Sequence, residues 1–200
     1  MFSTRIKLAL IAATSATALL AAGCSSSDDG SMPGMDHGKS STSAQPATRT
    51  DFNNADITFL DMMYPHHAQA VEMAKLVPSR SQNQRLITLA TAVEQAQAPE
   101  MQQITTLLAS FGKPAPMTGM NHDMPGMMTK DQMSKLESLS GTDFDKQWMQ
   151  MMIEHHKGAI DMANTELKQG TNADAKALAQ SIVTAQQQEI DQMNGMLGQS

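Results

Sequence analysis

Cysteine occurs once in the 200 residues, at Cys24. One thiol cannot close a disulfide within the chain, and it cannot supply the thiolate cage of a structural zinc site. Aromatic residues make up only 4% of the chain, so a core must be built from aliphatic side chains and thioethers. Lys and Arg total 14 against 20 Asp and Glu, a net charge of -6, and the basic residues form no run. This argues against nucleic acid as a partner. The apolar stretch from Leu8 to Ala22 holds about 15 residues, too few for a comfortable membrane span. No alternating strand pattern is present. No Glu stands three residues before any of the paired histidines, so the ordinary di-iron ligand pattern of helical bundles is missing.

What the chain has in excess is methionine, 19 in all. Its opening, "MFSTRIKLALIAATSATALLAAGC", has a basic start at Arg5 and Lys7 and a short apolar centre. That is the form of a secretory signal over residues 1–23. The ending "LLAAGC" resembles a bacterial lipobox, which makes Cys24 the expected lipidation site. The mature protein is then expected in the cell envelope, outside the cytoplasm and held to a membrane by its lipid. Residues 24–50 are rich in Ser, Gly and Asp and read as a flexible tether.

The remainder, 51–200, is expected to be all-α. Asn53 can cap a first helix, with Asp56 in its first turn, and Pro78 is expected to end it after Val77. A second helix is expected from about Ser81 to Phe111. Thr129 and Gln132 can form a capping box for a short helix. Thr142 is expected to cap a third long helix ending near Gly170, and Asn172 a fourth. Pro65 and Pro99 lie inside the first two and are expected to kink them.

The chain repeats itself at an offset of 89 residues without a gap. "MMYPHHAQAVEMA" (62–74) falls on "MMIEHHKGAIDMA" (151–163). Phe59 falls on Trp148, Gln97 on Gln186 and Glu100 on Glu189. Two such hairpins, residues 52–112 and 141–198, are expected to form a ferritin-like four-helix bundle, with 113–130 as a Met-rich crossover.

On the first helix Met62, Met63, His66, His67 and Met73 share one broad apolar face. Met151, Met152, His155, His156 and Met162 repeat it. A methionine stripe at this spacing is ordinarily core, and a lone histidine on it is ordinarily a satisfied core residue. Four histidines on buried stripes each need a partner or a ligand role. Imidazole with thioether is a soft to borderline donor set. It favours copper, Cu(I) first, with Ag(I) and Cu(II) as further candidates.

The crossover reads "MTGMNHDMPGMMTK" (117–130) and the tether "MPGMDHG" (32–38). Both share Met-Pro-Gly-Met and a nearby His, in segments expected to lie outside the packed fold. Thioether sulfur binds Cu(I) without losing a proton and survives oxidising compartments. Met117, Met120, His122, Met124, Met127 and Met128 are therefore candidate ligands, as are Met32, Met35 and His37. The alternative for these residues is a biased linker, or methionines that pack on the bundle surface.

The doubled pattern Met-x3-His-His-x2-Ala-x2-Met-Ala, with Gln-x2-Glu on the partner helices, resembles the bacterial family known as domain of unknown function 305. Here it reads Met62, His66, His67, Ala70, Met73 and Ala74, then Met151, His155, His156, Ala159, Met162 and Ala163. The likeness covers about residues 52–198. It implies an exported ferritin-like bundle, associated in some members with copper binding through Met and His.

Three functions follow. The first is a lipid-anchored copper protein that sequesters Cu(I) or Cu(II) or passes it to a copper-handling partner. The second is a ferritin-like redox enzyme using the His pairs with Glu100 and Glu189. The third is a structural or interaction lipoprotein whose methionines only pack. No nucleophile or acid–base constellation stands out, so the expectation is a binding protein and not an enzyme. A dimer or larger oligomer is compatible with the sequence.

Overall fold

The computed structural model describes residues 49–117 and 124–198. Among them are five helices and no strand: α1 (Asn54–Arg80), α2 (Gln84–Ser110), α3 (Lys130–Ser138), α4 (Gly141–Gln169) and α5 (Ala173–Leu197). The four long helices form an all-α bundle. Hairpins α1–α2 and α4–α5 pack mainly through α1 and α4. No described helix is long and apolar enough to cross a membrane.

Helices α1 and α4 run antiparallel. Phe59 lies with Met162, His66 packs against His155, and Trp148 Nε1 donates to the Met73 carbonyl at 2.9 Å. The Phe59–Met162 and Met73–Trp148 contacts are one contact seen twice under the 89-residue repeat. His66 and His155 are repeat mates that meet each other. Together these place a pseudo-twofold axis between the two imidazoles.

The apolar core divides accordingly into two clusters. One holds Met73, Val77, Leu86, Val93, Trp148, Met152 and Met193. The other holds Phe59, Leu60, Met63, Ile104, Leu108, Met162 and Ile182. The four paired histidines, all fully buried, belong to neither cluster.

Local signals explain most helix ends. Asn53 and Asp56 form a reciprocal capping box, as do Thr129 and Gln132. Asn172 caps α5. Three expectations need correction. Pro78 does not end α1, which continues to Arg80. The bond from Ser81 N to the Val77 carbonyl at 2.9 Å and the full burial of Val77 hold that last turn. Ser81 is therefore the C-cap of α1, and Asn83 caps α2. Thr142 is not the cap of α4. The helix begins at Gly141, whose φ of +61° is open to glycine, and Ser140 makes no side-chain cap bond. Pro65 and Pro99 lie inside α1 and α2, as expected.

Asp56 also fastens the two hairpins together. Its carboxylate accepts from Asn53 N at 2.6 Å, Thr171 N at 3.0 Å and Asn172 N at 2.9 Å. Glu166 sits beside it with both oxygens buried and lacking a donor. Burial, followed by the proximity of Asp56, pushes the Glu166 carboxyl up to about 8. A protonated Glu166 can donate to Asp56; an ionised one confronts a second carboxylate. The unfolded chain releases this proton near 4.5, whereas the folded chain keeps it to about 8. This contribution to stability is therefore full below about pH 4.5 and declines as pH rises towards 8. Glu166→Gln is expected to remove that decline, which urea unfolding at a series of pH values would read. An unchanged slope would mean that Glu166 is ionised in the fold.

Candidate metal centre

The His66 and His155 ring centroids are 3.7 Å apart, with the planes tilted by 38°. Each is flanked by its neighbour in sequence. His67 Nε2 donates to Glu100 Oε2 at 2.7 Å, and His156 Nε2 to Glu189 Oε2 at 2.7 Å. A carboxylate only accepts, so Nε2 carries the proton in both rings. In the neutral ring Nδ1 then keeps its lone pair. His66 Nε2 likewise donates to the Pro125 carbonyl at 3.1 Å.

What remains is a set of buried polar atoms without partners. Nδ1 of His66, His67 and His156 meets no partner, nor does either ring nitrogen of His155. The side-chain amides of Gln97 and Gln186, repeat mates one turn before the two glutamates, are also buried and unpartnered. Each such group costs about 1–3 kcal/mol when left dry. Burial is the main cause that lowers His66 to about 3, and the nearby His67 and His156 add to it. His155 is lowered well below its ordinary value, again by burial first and then by the other three histidines. Two of the rings are therefore neutral at physiological pH and available as ligands.

A histidine whose far nitrogen donates to a carboxylate is oriented as metal-binding histidines are. Yet among the described residues no three His, Cys, Asp or Glu side chains converge to hold an ion. A ligand set drawn from this centre would therefore combine the imidazoles with other donors, and thioethers are the soft donors the bundle supplies.

The methionines fall into distinct places. Met63, Met73, Met151, Met152 and Met162 are buried in the two apolar clusters. Met62 is half-buried and lines a cavity between α1 and α4. In the crossover, Met117 is 62% exposed, whereas Met124 and Met128 are buried and Met127 is half-buried. The expectation of a wholly unpacked Met-rich linker is thus corrected for residues 124–128. Met120 and His122 lie outside the described residues, as do Cys24, Met32, Met35 and His37.

Residues 124–128 form a strap across the pseudo-twofold axis. Gln69 on α1 holds Met128 by both backbone groups: its Nε2 donates to the Met128 carbonyl at 2.8 Å, and Met128 N donates to its Oε1 at 2.7 Å. On α4 the strap presses backbone to backbone. A Cβ on Gly158 would lie 2.0 Å from the Pro125 carbonyl oxygen and 2.8 Å from Gly126 Cα. Gly126 itself has φ +79°, and a Cβ there would meet the Glu154 and His155 carbonyls at 2.7 and 2.9 Å. Gln69 and Gly158 were not singled out from the sequence. They occupy matching positions in the repeat, and their mismatch within otherwise similar motifs was the available signal.

A pseudo-symmetric helical bundle with an imidazole pair on its axis and thioethers around it defines an α-helical protein with a candidate soft-metal centre. The domain of unknown function DUF305 matches residues 56–197, and the chain belongs to that family. A DUF305 protein from Streptomyces coelicolor, named as a secreted protein, is 35% identical, with 72% of this chain and 93% of that one covered and a TM-score of 0.67. A DUF305 fragment from Deinococcus radiodurans is 30% identical, with 74% and 98% covered and a TM-score of 0.68. CopM in its Cu(I)-bound form is 26% identical, with 72% and 96% covered and a TM-score of 0.62. CopM is also known in Cu(II)-bound and Ag-bound forms. Among curated proteins none matches this chain.

Two outcomes are expected from this geometry. His66 and His155 stay neutral in the fold but take protons near 6.5 when unfolded. The His66 contribution to stability is therefore full above about pH 6.5 and is lost as pH falls towards 3, and that of His155 has the same sign. Histidine ring NMR signals titrated from pH 8 to pH 4 should show the His66 ring unprotonated throughout and no transition near 6.5 for either ring; protonation near 6.5 would contradict the burial argument. Separately, Gly158→Ala would normally favour a helix by about 1 kcal/mol. Here it should destabilise by about 1–3 kcal/mol, as overpacking does, and expose the Met128 amide to hydrogen exchange.

Proposed function

We propose that this protein binds copper outside the cytoplasm and sequesters it or passes it on, with Cu(I) preferred. Its ligands on this reading are the His66–His155 centre, supported by His67 and His156, and thioethers drawn from the bundle and the crossover. The observation that carries the reading is the set of buried imidazole lone pairs at the axis that no protein donor satisfies. Similarity to CopM, which is known with Cu(I), Cu(II) and Ag, supports the choice of metal. The secreted Streptomyces coelicolor relative supports the location. The lipid anchor on Cys24, the tether ligands Met32, Met35 and His37, and a copper-handling partner belong to the same proposal. So does the absence of catalysis.

The test is an anaerobic Cu(I) competition titration on the whole chain, with Glu100→Gln and Glu189→Gln beside it. Those changes keep the shape of the carboxylates while weakening the orientation of His67 and His156. Loss of such an outer partner ordinarily weakens metal binding about 10–100-fold. Tight uptake by the native protein, weakened to that degree in the variants, is the expected result. Failure of the native protein to compete even with a weak chelator would sink the copper reading. The histidines would then be core residues satisfied by buried water, and the structural lipoprotein reading would take its place.

A further inference from the structure

The centre on the axis is fully buried, so an ion must reach it from somewhere. A cavity of about 500 Å3 lies between the N-terminal half of α1 and the C-terminal half of α4. Met62 and Met162 line it from opposite helices, Phe59 contributes an apolar wall, and Pro125 of the strap closes one side. Asp161, also in the lining, is exposed and gives the opening a negative charge. Met62 lies one turn before His66 on the same helix. Pro125 is the residue whose carbonyl meets His66. The cavity thus adjoins the histidine centre.

The pseudo-twofold axis shows that this opening is not forced by the fold. At the other end of the α1–α4 pair the matching residues are Met151, Met73 and Trp148. There the core cluster also takes in Met128 of the strap and Met133 and Leu136 of α3, and Met73 and Met151 are both buried. Where that end places Leu76 and Val77, the open end places Thr165 and Glu166. One end of the repeat is closed by buried apolar side chains, thioethers among them. The other keeps two thioethers facing a polar-rimmed cavity.

We infer that Met62 and Met162 form an outer soft-cation site, distinct from the histidine centre, which receives Cu(I) or Ag(I) from solvent and feeds His66 past Pro125. Two thioethers suit a soft monovalent ion that prefers few ligands, and neither needs to lose a proton to bind. The ion remains monovalent throughout and no bond within the chain is made or broken. The inference rests on the proposed copper-binding function and adds an order of events to it.

The experiment uses Ag(I) on the whole chain, with 13C-labelled methionine methyl groups and the histidine ring protons followed by NMR. Met62→Leu and Met162→Leu assign the two methyl signals, and their double variant tests the route. Leu and Met are close in volume, so the bundle is expected to keep its fold. At substoichiometric Ag(I) the Met62 and Met162 methyl signals should move before the His66 and His155 ring signals. In the double variant the ring signals should reach the same end point, with the rate of approach several-fold slower in stopped flow. If the ring signals move first, or the double variant loads at the native rate, the outer site is overturned and the histidine centre stands. If the two methyl signals move and the rings never do, the outer site survives and the histidine centre falls. If neither set moves, both readings fail.

Discussion

The contact between His66 and His155 governs the rest of this molecule. It lies where the repeat meets itself, and the Phe59–Met162 and Met73–Trp148 contacts flank it on either side. Two imidazoles 3.7 Å apart in a dry interior cannot both be charged, because like charges at that distance repel and neither is solvated. Their neutrality is a condition of the fold. It also leaves lone pairs where an apolar layer would otherwise sit, between one cluster centred on Trp148 and Met152 and another on Phe59 and Met63. Filling that layer with leucine would serve packing alone. The Glu100 and Glu189 carboxylates instead fix two further rings with Nδ1 free, an orientation that metal-binding histidines share.

A twofold centre served by a single crossover must be asymmetric on its covered side. The strap resolves this with different residues at paired positions. Gln69 offers an amide that mimics a backbone partner, and Gly158 offers the absence of a side chain. Because Gly126 also lacks a Cβ, two backbones approach each other directly above the ring pair. Each half of the arrangement depends on the other: the clasp fixes the height of the strap, and the glycine notch gives it somewhere to lie. The Pro125 carbonyl then reaches His66 Nε2 and selects which nitrogen bears the proton.

Much of this was legible in the sequence, and the unread part has physical causes. The offset of 89 residues carried the fold, because two similar hairpins bury similar faces most simply around an axis. Capping boxes at Asn53–Asp56 and Thr129–Gln132 were readable because side chain and backbone lie within three residues of each other. Pro78 misled because its missing donor concerns one bond, whereas burial of Val77 is a tertiary effect that local pattern does not contain. Thr142 misled because Gly141 enters the helix by backbone conformation and needs no side-chain cap. The strap was illegible for a related reason. Met124 and Met128 look like linker residues until Gln69 and Gly158, roughly 30 to 60 positions away, supply the surface that receives them.

The candidate donors lie at different depths, and on the proposed reading this bears on how bound metal would be released. On that reading an exposed thioether such as Met117 would bind a soft ion with little desolvation and little ordering, and so weakly and reversibly. The Met62–Met162 cavity asks for partial desolvation, and the axis for complete desolvation. Each inward step replaces more water with protein donors in a lower dielectric, where every ligand bond counts for more. The imidazoles at the bottom are the strongest donors and the least accessible. A chain intended only to store metal would have no use for the outer steps. One that exchanges metal with a partner needs them, because a partner's ligands can reach the strap and the cavity but not the axis.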